Sequence, residues 1–167
     1  IAMRLLLLAG VFPIRNHYYE PRFDFRRLDR PLDEPRELPG VDLRSGQQTE
    51  LLKSFIWRNE FAEFAGNAFR LDNGMFEGND AAFYYNLIRL KKPRMILEIG
   101  SGQSTLVARA AIQANRRESA GGDCDLLCIE PYEAPWLESF GVTVLRQRVE
   151  AVDAELFSKL RAGDILF

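Results

Sequence analysis

The chain has 167 residues, 47% of them hydrophobic, enough for a globular domain with a substantial core. Its 22 Lys and Arg nearly balance 24 Asp and Glu, which argues against nucleic acid as the main partner, because a phosphate-binding surface needs a basic excess. Two cysteines and one histidine supply neither a disulfide framework nor a four-ligand zinc site, so no metal is expected and Cys124 and Cys128 read as reduced thiols in a cytoplasmic protein.

The chain opens on "IAMRLLLLAGVFPI", whose apolar core of about eight to ten residues falls well short of the ~20 needed to span a bilayer. No small-residue cleavage site follows it, so the segment reads as a short buried helix over residues 1–16, without a membrane span. Residues 18–43 then shift to prolines and paired charges in "EPRFDFRRLDRPLDEPRELPGVDL". Phe23, Phe25, Leu28, Leu32, Leu38 and Val41 are spaced along that stretch, which suits an extended arm pinned to a surface better than a disordered linker. His17 lies where the arm begins. As the only histidine it is a candidate general base, although its distance in sequence from the motifs below favours a structural or surface role. The neighbouring "HYYEP" admits a second role as a lid closing on substrate.

"SGQQTELLKSFIWRNEFAEFA" predicts one helix over 45–65, with Ser45 and Gln48 spaced as a capping box and Leu51, Leu52, Phe55 and Ile56 at helical intervals. A turn-rich stretch leads to a second helix over 80–92, capped by Asn79 or Asp80 and ended by Pro93. Phe83, Leu87 and Leu90 share one of its faces, with Tyr84 and Tyr85 as core and rim. "RMILEI" is a continuous apolar run of the kind found in a parallel strand buried on both sides. Beyond it strands are expected at 125–130, 142–147 and 164–167, alternating with helices at 104–117, 131–140 and 153–160.

Strand–helix alternation with short connections predicts an α/β fold with a doubly wound parallel sheet. The chain starts at Ile1 and stops in "GDILF", the beginning of a buried strand, so it reads as a piece of a longer polypeptide, truncated after strand four. Residues 1–72 form an N-terminal helical and extended arm, and residues 73–167 an incomplete cofactor-binding domain. Four strands with an exposed edge favour association into a homo-oligomer.

In such sheets the ligand sits beyond the carboxyl ends of the strands, where strand order reverses. "LEIGSGQSTL", residues 97–106, falls at that place, and its glycines permit positive φ and close backbone approach. The helix that follows directs its N-terminal amides at the same point. A phosphate-cradling loop fails here, because Gln103 stands where the lysine belongs and Leu97 where the first glycine belongs. A nicotinamide site wants a third small residue and finds Thr105. It also finds Glu98, an acid unwelcome beside a pyrophosphate.

The same residues carry a resemblance. "EIGSGQST" resembles the first motif of the class I, Rossmann-like methyltransferases, an acid-x-G-x-G turn matched by Glu98, Gly100 and Gly102. The resemblance covers roughly residues 73–167 and is strongest to a bacterial subgroup acting on small molecules. It implies S-adenosylmethionine as cofactor, with Glu98 near the ligand's cationic methionine end and Ser104 or Thr105 binding its carboxylate. Glu130 in "LLCIEP" corresponds to the acid that holds the ribose hydroxyls, 28 residues after Gly102. "QRVEAVD" corresponds to the adenine segment, with Val149 and Glu150 in place and the family's commoner Asp missing.

The implied reaction is methyl transfer to a small-molecule acceptor, with oxygen ahead of nitrogen or carbon. Two other readings stay open: a nicotinamide-dependent oxidoreductase, and a non-catalytic Rossmann-like interaction module. The acceptor-side residues of the family come after strand four, so the sequence names no catalytic residue beyond the candidate His17.

Overall fold

A computed structural model describes residues 5–6, 8–11, 34–35, 39–67, 69–118, 123–132 and 135–167. By its internal contacts the chain divides into two units, Ile1–Leu43 and Arg44–Phe167. In the first, the Ala9 amide donates to the Leu5 carbonyl at 3.1 Å and the Val11 amide to Leu6 at 2.8 Å, making one helical turn. That turn is not the buried helix expected from its apolar side chains. Leu5, Leu6 and Leu8 are exposed, and one turn is too short to bury a face on its own. His17 and Phe23, Phe25, Leu28, Leu32 and Leu38 of the arm lie outside the described residues.

The second unit holds three helices, α1 (Ser45–Lys53), α2 (Arg58–Asn67) and α3 (Gly78–Lys91), then β1 (Met95–Ile99), α4 (Gln103–Glu118), β2 (Asp125–Ile129), β3 (Thr143–Leu145) and β4 (Ile165–Leu166). The helix expected over 45–65 is therefore two. Ser54 ends α1, its hydroxyl donating to the Leu51 carbonyl at 2.6 Å. The Trp57 amide then donates to Asn86 Oδ1 of α3 at 3.1 Å, and α2 begins at the next residue. Six residues of continuous helix would turn Phe55 and Phe61 about 120° apart around the axis. The break lets Phe55 meet Phe83 at 5.3 Å between ring centres while Phe61 meets Tyr85 at 5.5 Å. The Ser45–Gln48 capping box does not form either, because Arg44 occupies the N-cap in a left-handed conformation without a side-chain cap.

α2 thus packs on α3 through Phe61, Phe64 and Tyr85 and belongs to the same compact unit as the sheet. α3 starts at Gly78 after Glu77, earlier than the Asn79 or Asp80 cap expected for it, and ends at Lys92 in a left-handed conformation before Pro93. Its buried face is Ala81, Tyr84, Tyr85 and Ile88. Of the face shared by Phe83, Leu87 and Leu90, Phe83 is 40% exposed and the two leucines are half-buried. The helix lies between α2 and α4, so two sides of it are covered and the outward stripe falls on Phe83. Ala81, Tyr84 and Ile88 meet Val107, Ala108 and Ala111 of α4 above Ile96 of β1, where the alanines allow close approach.

The sheet is parallel throughout, in the order β3-β2-β1-β4. β1 is central and buried from Met95 to Glu98, the reason its sequence runs apolar without alternation. β1 to β3 extend the sheet in one direction, and β4 returns to the other side of β1. Strand order therefore reverses between β1 and β4, at the end where the glycine turn emerges. The helices expected at 131–140 and 153–160 are short 3-10 segments, Leu137–Phe140 and Ala154–Lys159, with a further one at Val149–Ala151.

Candidate functional site

Gly100 leaves β1 with φ +79°, a conformation that disfavours any side chain, and its amide donates to the Ile129 carbonyl at the end of β2 at 2.9 Å. The next amide, Ser101, donates to Glu130 Oε2 at 3.1 Å, and the Tyr132 amide donates to Glu130 Oε1 at 2.8 Å. Glu130 is 2% exposed. Its carboxylate therefore ties the end of β2 to the turn after β1, with one backbone amide on each oxygen.

Glu98 lies beneath the same turn and is wholly buried. The Thr105 hydroxyl donates to its Oε2 at 2.6 Å and the Ser104 hydroxyl to its Oε1, while the Cys128 thiol lies 3.5 Å from Oε2. Thr105 Oγ1 in turn accepts the Gly102 amide at 3.0 Å, so the turn's backbone is linked through a hydroxyl to the buried carboxyl. Burial pushes the Glu98 carboxyl above the usual carboxylate range, against the opposing effect of Ser104, Thr105 and Cys128. Burial, and then the charge of Glu98, push the Cys128 thiol up to about 12, so it is no nucleophile at neutral pH.

Two further hydroxyls, of Tyr84 and Ser101, are buried without a hydrogen-bond partner among the described residues. The Tyr84 ring stacks on Phe167 at 4.1 Å, directly after β4. Gly102 differs from Gly100 in that its φ is not positive, while a Cβ built on either meets no atom within 4 Å. Neither its own backbone nor internal packing requires a glycine there.

Of the residues singled out in the sequence, Glu98, Gly100, Gly102, Ser104 and Glu130 meet within this one cluster. Glu98 faces inward onto Ser104 and Thr105, so in this structure neither hydroxyl is directed to a ligand. Val149 is half-buried and Glu150 exposed, in the 3-10 turn after β3. Just before them Arg148 donates to the Tyr132 hydroxyl at 2.7 Å, bringing the segment to the side of the site formed after β2. His17 lies outside the described residues. Tyr132, Arg148 and Cys128 were not evident from the sequence. Parallel register pairs Cys128 with Glu98, and that pairing is the signal that would have found the thiol.

The chain is similar to an uncharacterized protein of Archaeoglobus fulgidus, 27% identical over 177 aligned positions that take in 95% of this chain and 77% of the relative. No family model matches the chain, and no solved structure matches it. Among the described residues no group of three or more His, Cys, Asp or Glu is arranged to hold a metal, and no helix is long and apolar enough to cross a membrane.

Proposed function

We propose that the chain is the cofactor-binding part of a class I, Rossmann-like methyltransferase that uses S-adenosylmethionine to methylate a small-molecule acceptor. The observation that carries this reading is the joining of a glycine turn to the strand-end acid Glu130, at the end of the sheet where strand order reverses. The open space beside Gly102 suits a ligand lying against the backbone.

When bound, S-adenosylmethionine supplies a methyl group already activated on a sulfonium. The protein's tasks are then alignment and exclusion of water. Glu130, fixed by two amides, is set to accept hydroxyl groups of a ribose, since each carboxylate oxygen has two acceptor sites. Glu98 holds Ser104 and Thr105, and with them the first turn of α4, so that the helix's N-terminal amides face the ligand. Its role here is to position that turn, and the ligand meets the turn's backbone. Val149 and Glu150 would border the adenine.

Calorimetric titration with S-adenosylmethionine, S-adenosylhomocysteine and NAD, on wild type and Glu130→Ala, tests the reading. Binding of the two sulfur compounds, lost in the variant while its circular dichroism stays native, is expected. Binding of NAD alone would replace the reading with an oxidoreductase, and binding of none of them would replace it with an interaction module.

A further inference from the structure

At the end of the sheet away from the glycine turn, the starts of β1, β2 and β3 open on a groove of about 950 Å³. Arg94, Arg109, Arg116, Lys159 and Arg161 line it, against a single acid, Asp125. The chain as a whole carries a net charge of -2, so this is a local reversal of sign. Arg109, Gln113 and Arg116 fall on one face of α4, at helical spacing, and border the groove.

Some of these cations are already engaged. Arg94 pairs with Asp164 at 2.8 Å, and Arg116 lies 3.3 Å from the exposed Asp123. Among the described residues, Lys159 and Arg161 have no acid within ion-pair distance. The Arg109 guanidinium is held against Phe140, donating to its carbonyl at 2.9 Å with its carbon 5.1 Å from the ring centre. Phe140 itself lies edge-on to Trp136 and is 38% exposed. The groove thus combines guanidinium and ammonium donors with an aromatic ring and an apolar floor that includes Ile112, Leu126 and Leu145.

We propose that this groove binds a small phosphorylated molecule with a flat apolar body, of the nucleoside phosphate class. Arginine forks match phosphate oxygens in geometry as well as charge. A basic concavity focuses the field on an entering anion. Phe140, which carries Arg109 over its ring and stays partly exposed, offers aromatic surface against which a planar body packs. The volume lies in the range of ~300–1,000 Å³ that holds one small ligand. A long polyanion is disfavoured, because it would extend beyond the groove onto a surface without a basic excess. The site is independent of the methyltransferase reading, since none of the residues lining it belongs to the glycine-turn cluster.

The test is calorimetric titration of the protein with ADP, adenosine and inorganic pyrophosphate at low salt. Saturable ADP binding is expected, with adenosine and pyrophosphate each weaker by about ten-fold or more, since each lacks half of the ligand. The double variant Lys159→Glu, Arg161→Glu changes two exposed side chains, and its fold can be checked by circular dichroism. It should weaken ADP by about ten-fold or more, and Phe140→Ala should weaken ADP while leaving pyrophosphate unchanged. Failure of ADP to bind would overturn the proposal, as would an affinity untouched by the charge reversal or pyrophosphate binding as tightly as ADP. Loss of ADP binding in Glu130→Ala would also overturn it, by moving the nucleotide to the glycine turn.

Discussion

Glu130 reaches from the end of β2 into the glycine turn, its Oε2 accepting the Ser101 amide at 3.1 Å while its Oε1 takes the Tyr132 amide at 2.8 Å. A carboxylate buried to 2% exposure is costly unless hydrogen-bonded, and here the bonds come from two loops that must sit side by side for a ligand to bridge them. Glu98 does the same one layer down, with side-chain hydroxyls in place of amides. Two acids thereby fix the backbone of the turn, and the α4 start above it, in advance of any ligand. Such preorganisation lowers the ordering cost of binding.

Arg89 joins three helices. Its guanidinium donates to Glu60 of α2 at 2.6 and 3.2 Å and to Asn115 of α4, and it lies 5.1 Å from the Trp57 ring centre. The Arg89 side chain is only 3% exposed while those of its two acid partners, Glu60 and Glu118, are 39% and 48% exposed, so removing the arginine leaves acids that can still turn to water. Arg89→Ala is expected to cost about 3 kcal/mol, the low end for breaking a buried pair. Lys92→Ala, which removes a surface bond to Glu118, should barely move the midpoint. Urea unfolding followed by circular dichroism distinguishes the two. Equal losses in the two variants would show that Arg89 is not the joint.

Asp164 ties the approach to β4 to the start of β1, accepting the Arg94, Met95 and Arg161 amides at 3.1, 2.9 and 2.9 Å as well as the Arg94 guanidinium. Burial alone would raise its carboxyl, but the Arg161 and Met95 amides and the Arg94 charge together hold it below the usual 3.8. A depressed value means that the native state releases this proton more readily than the unfolded chain. Its stabilisation is therefore present above pH 3.8 and is lost as pH falls through the lowered value. Asp164→Ala should cost on the order of 2–3 kcal/mol at neutral pH and flatten the acid limb of the stability curve below about pH 4. An unchanged acid limb would mean that Asp164 is not the group responsible.

The central strand and the turn after it were legible because local constraints dictate them. Burial on both faces makes β1 apolar throughout, and φ +79° selects glycine at position 100. The break between α1 and α2 was not legible, because it depends on Asn86, 29 residues from Trp57, capturing an amide. The cap of α3, expected at Asn79 or Asp80, was misread because the helix begins earlier, at Gly78 after an extended Glu77 that makes no side-chain cap, so no capping residue marks its start. In the site, both acids could be found from sequence, but not what they bind. That Ser104 and Thr105 turn inward depends on the fit of α4 over the strand ends.

Glu98 gives a pH dependence of the opposite sign. Burial raises its carboxyl above the ordinary 4.5, with Ser104, Thr105 and Cys128 opposing the rise. The folded state holds this proton more tightly than the unfolded chain. Its favourable contribution is complete below pH 4.5 and is lost as pH climbs through the raised value. Glu98→Gln stays neutral, and the Ser104 and Thr105 hydroxyls can rotate to meet the amide. Relative to wild type the variant should gain stability steadily as pH rises from about 4 to 8. Guanidinium unfolding of both proteins across that series is the measurement, and a gap independent of pH would show that the buried carboxyl does not titrate with folding.

The two glycines of the turn should separate stability from binding. At Gly100, φ +79° puts any Cβ against the backbone, so Gly100→Ala is expected to cost about 1–2 kcal/mol. At Gly102 the backbone is ordinary and a Cβ meets nothing within 4 Å. The residue also immediately precedes α4, where serine is among the best caps. Gly102→Ser should therefore melt within a degree or two of wild type, or slightly higher. If a ligand lies against that amide, as the methyltransferase reading requires, the added side chain fills its space. Affinity for S-adenosylhomocysteine should then fall by about ten-fold or more. A Gly102→Ser protein that binds as wild type does would remove the turn from the binding surface, whatever its stability. One that unfolds would mean that the glycine is needed by the fold instead.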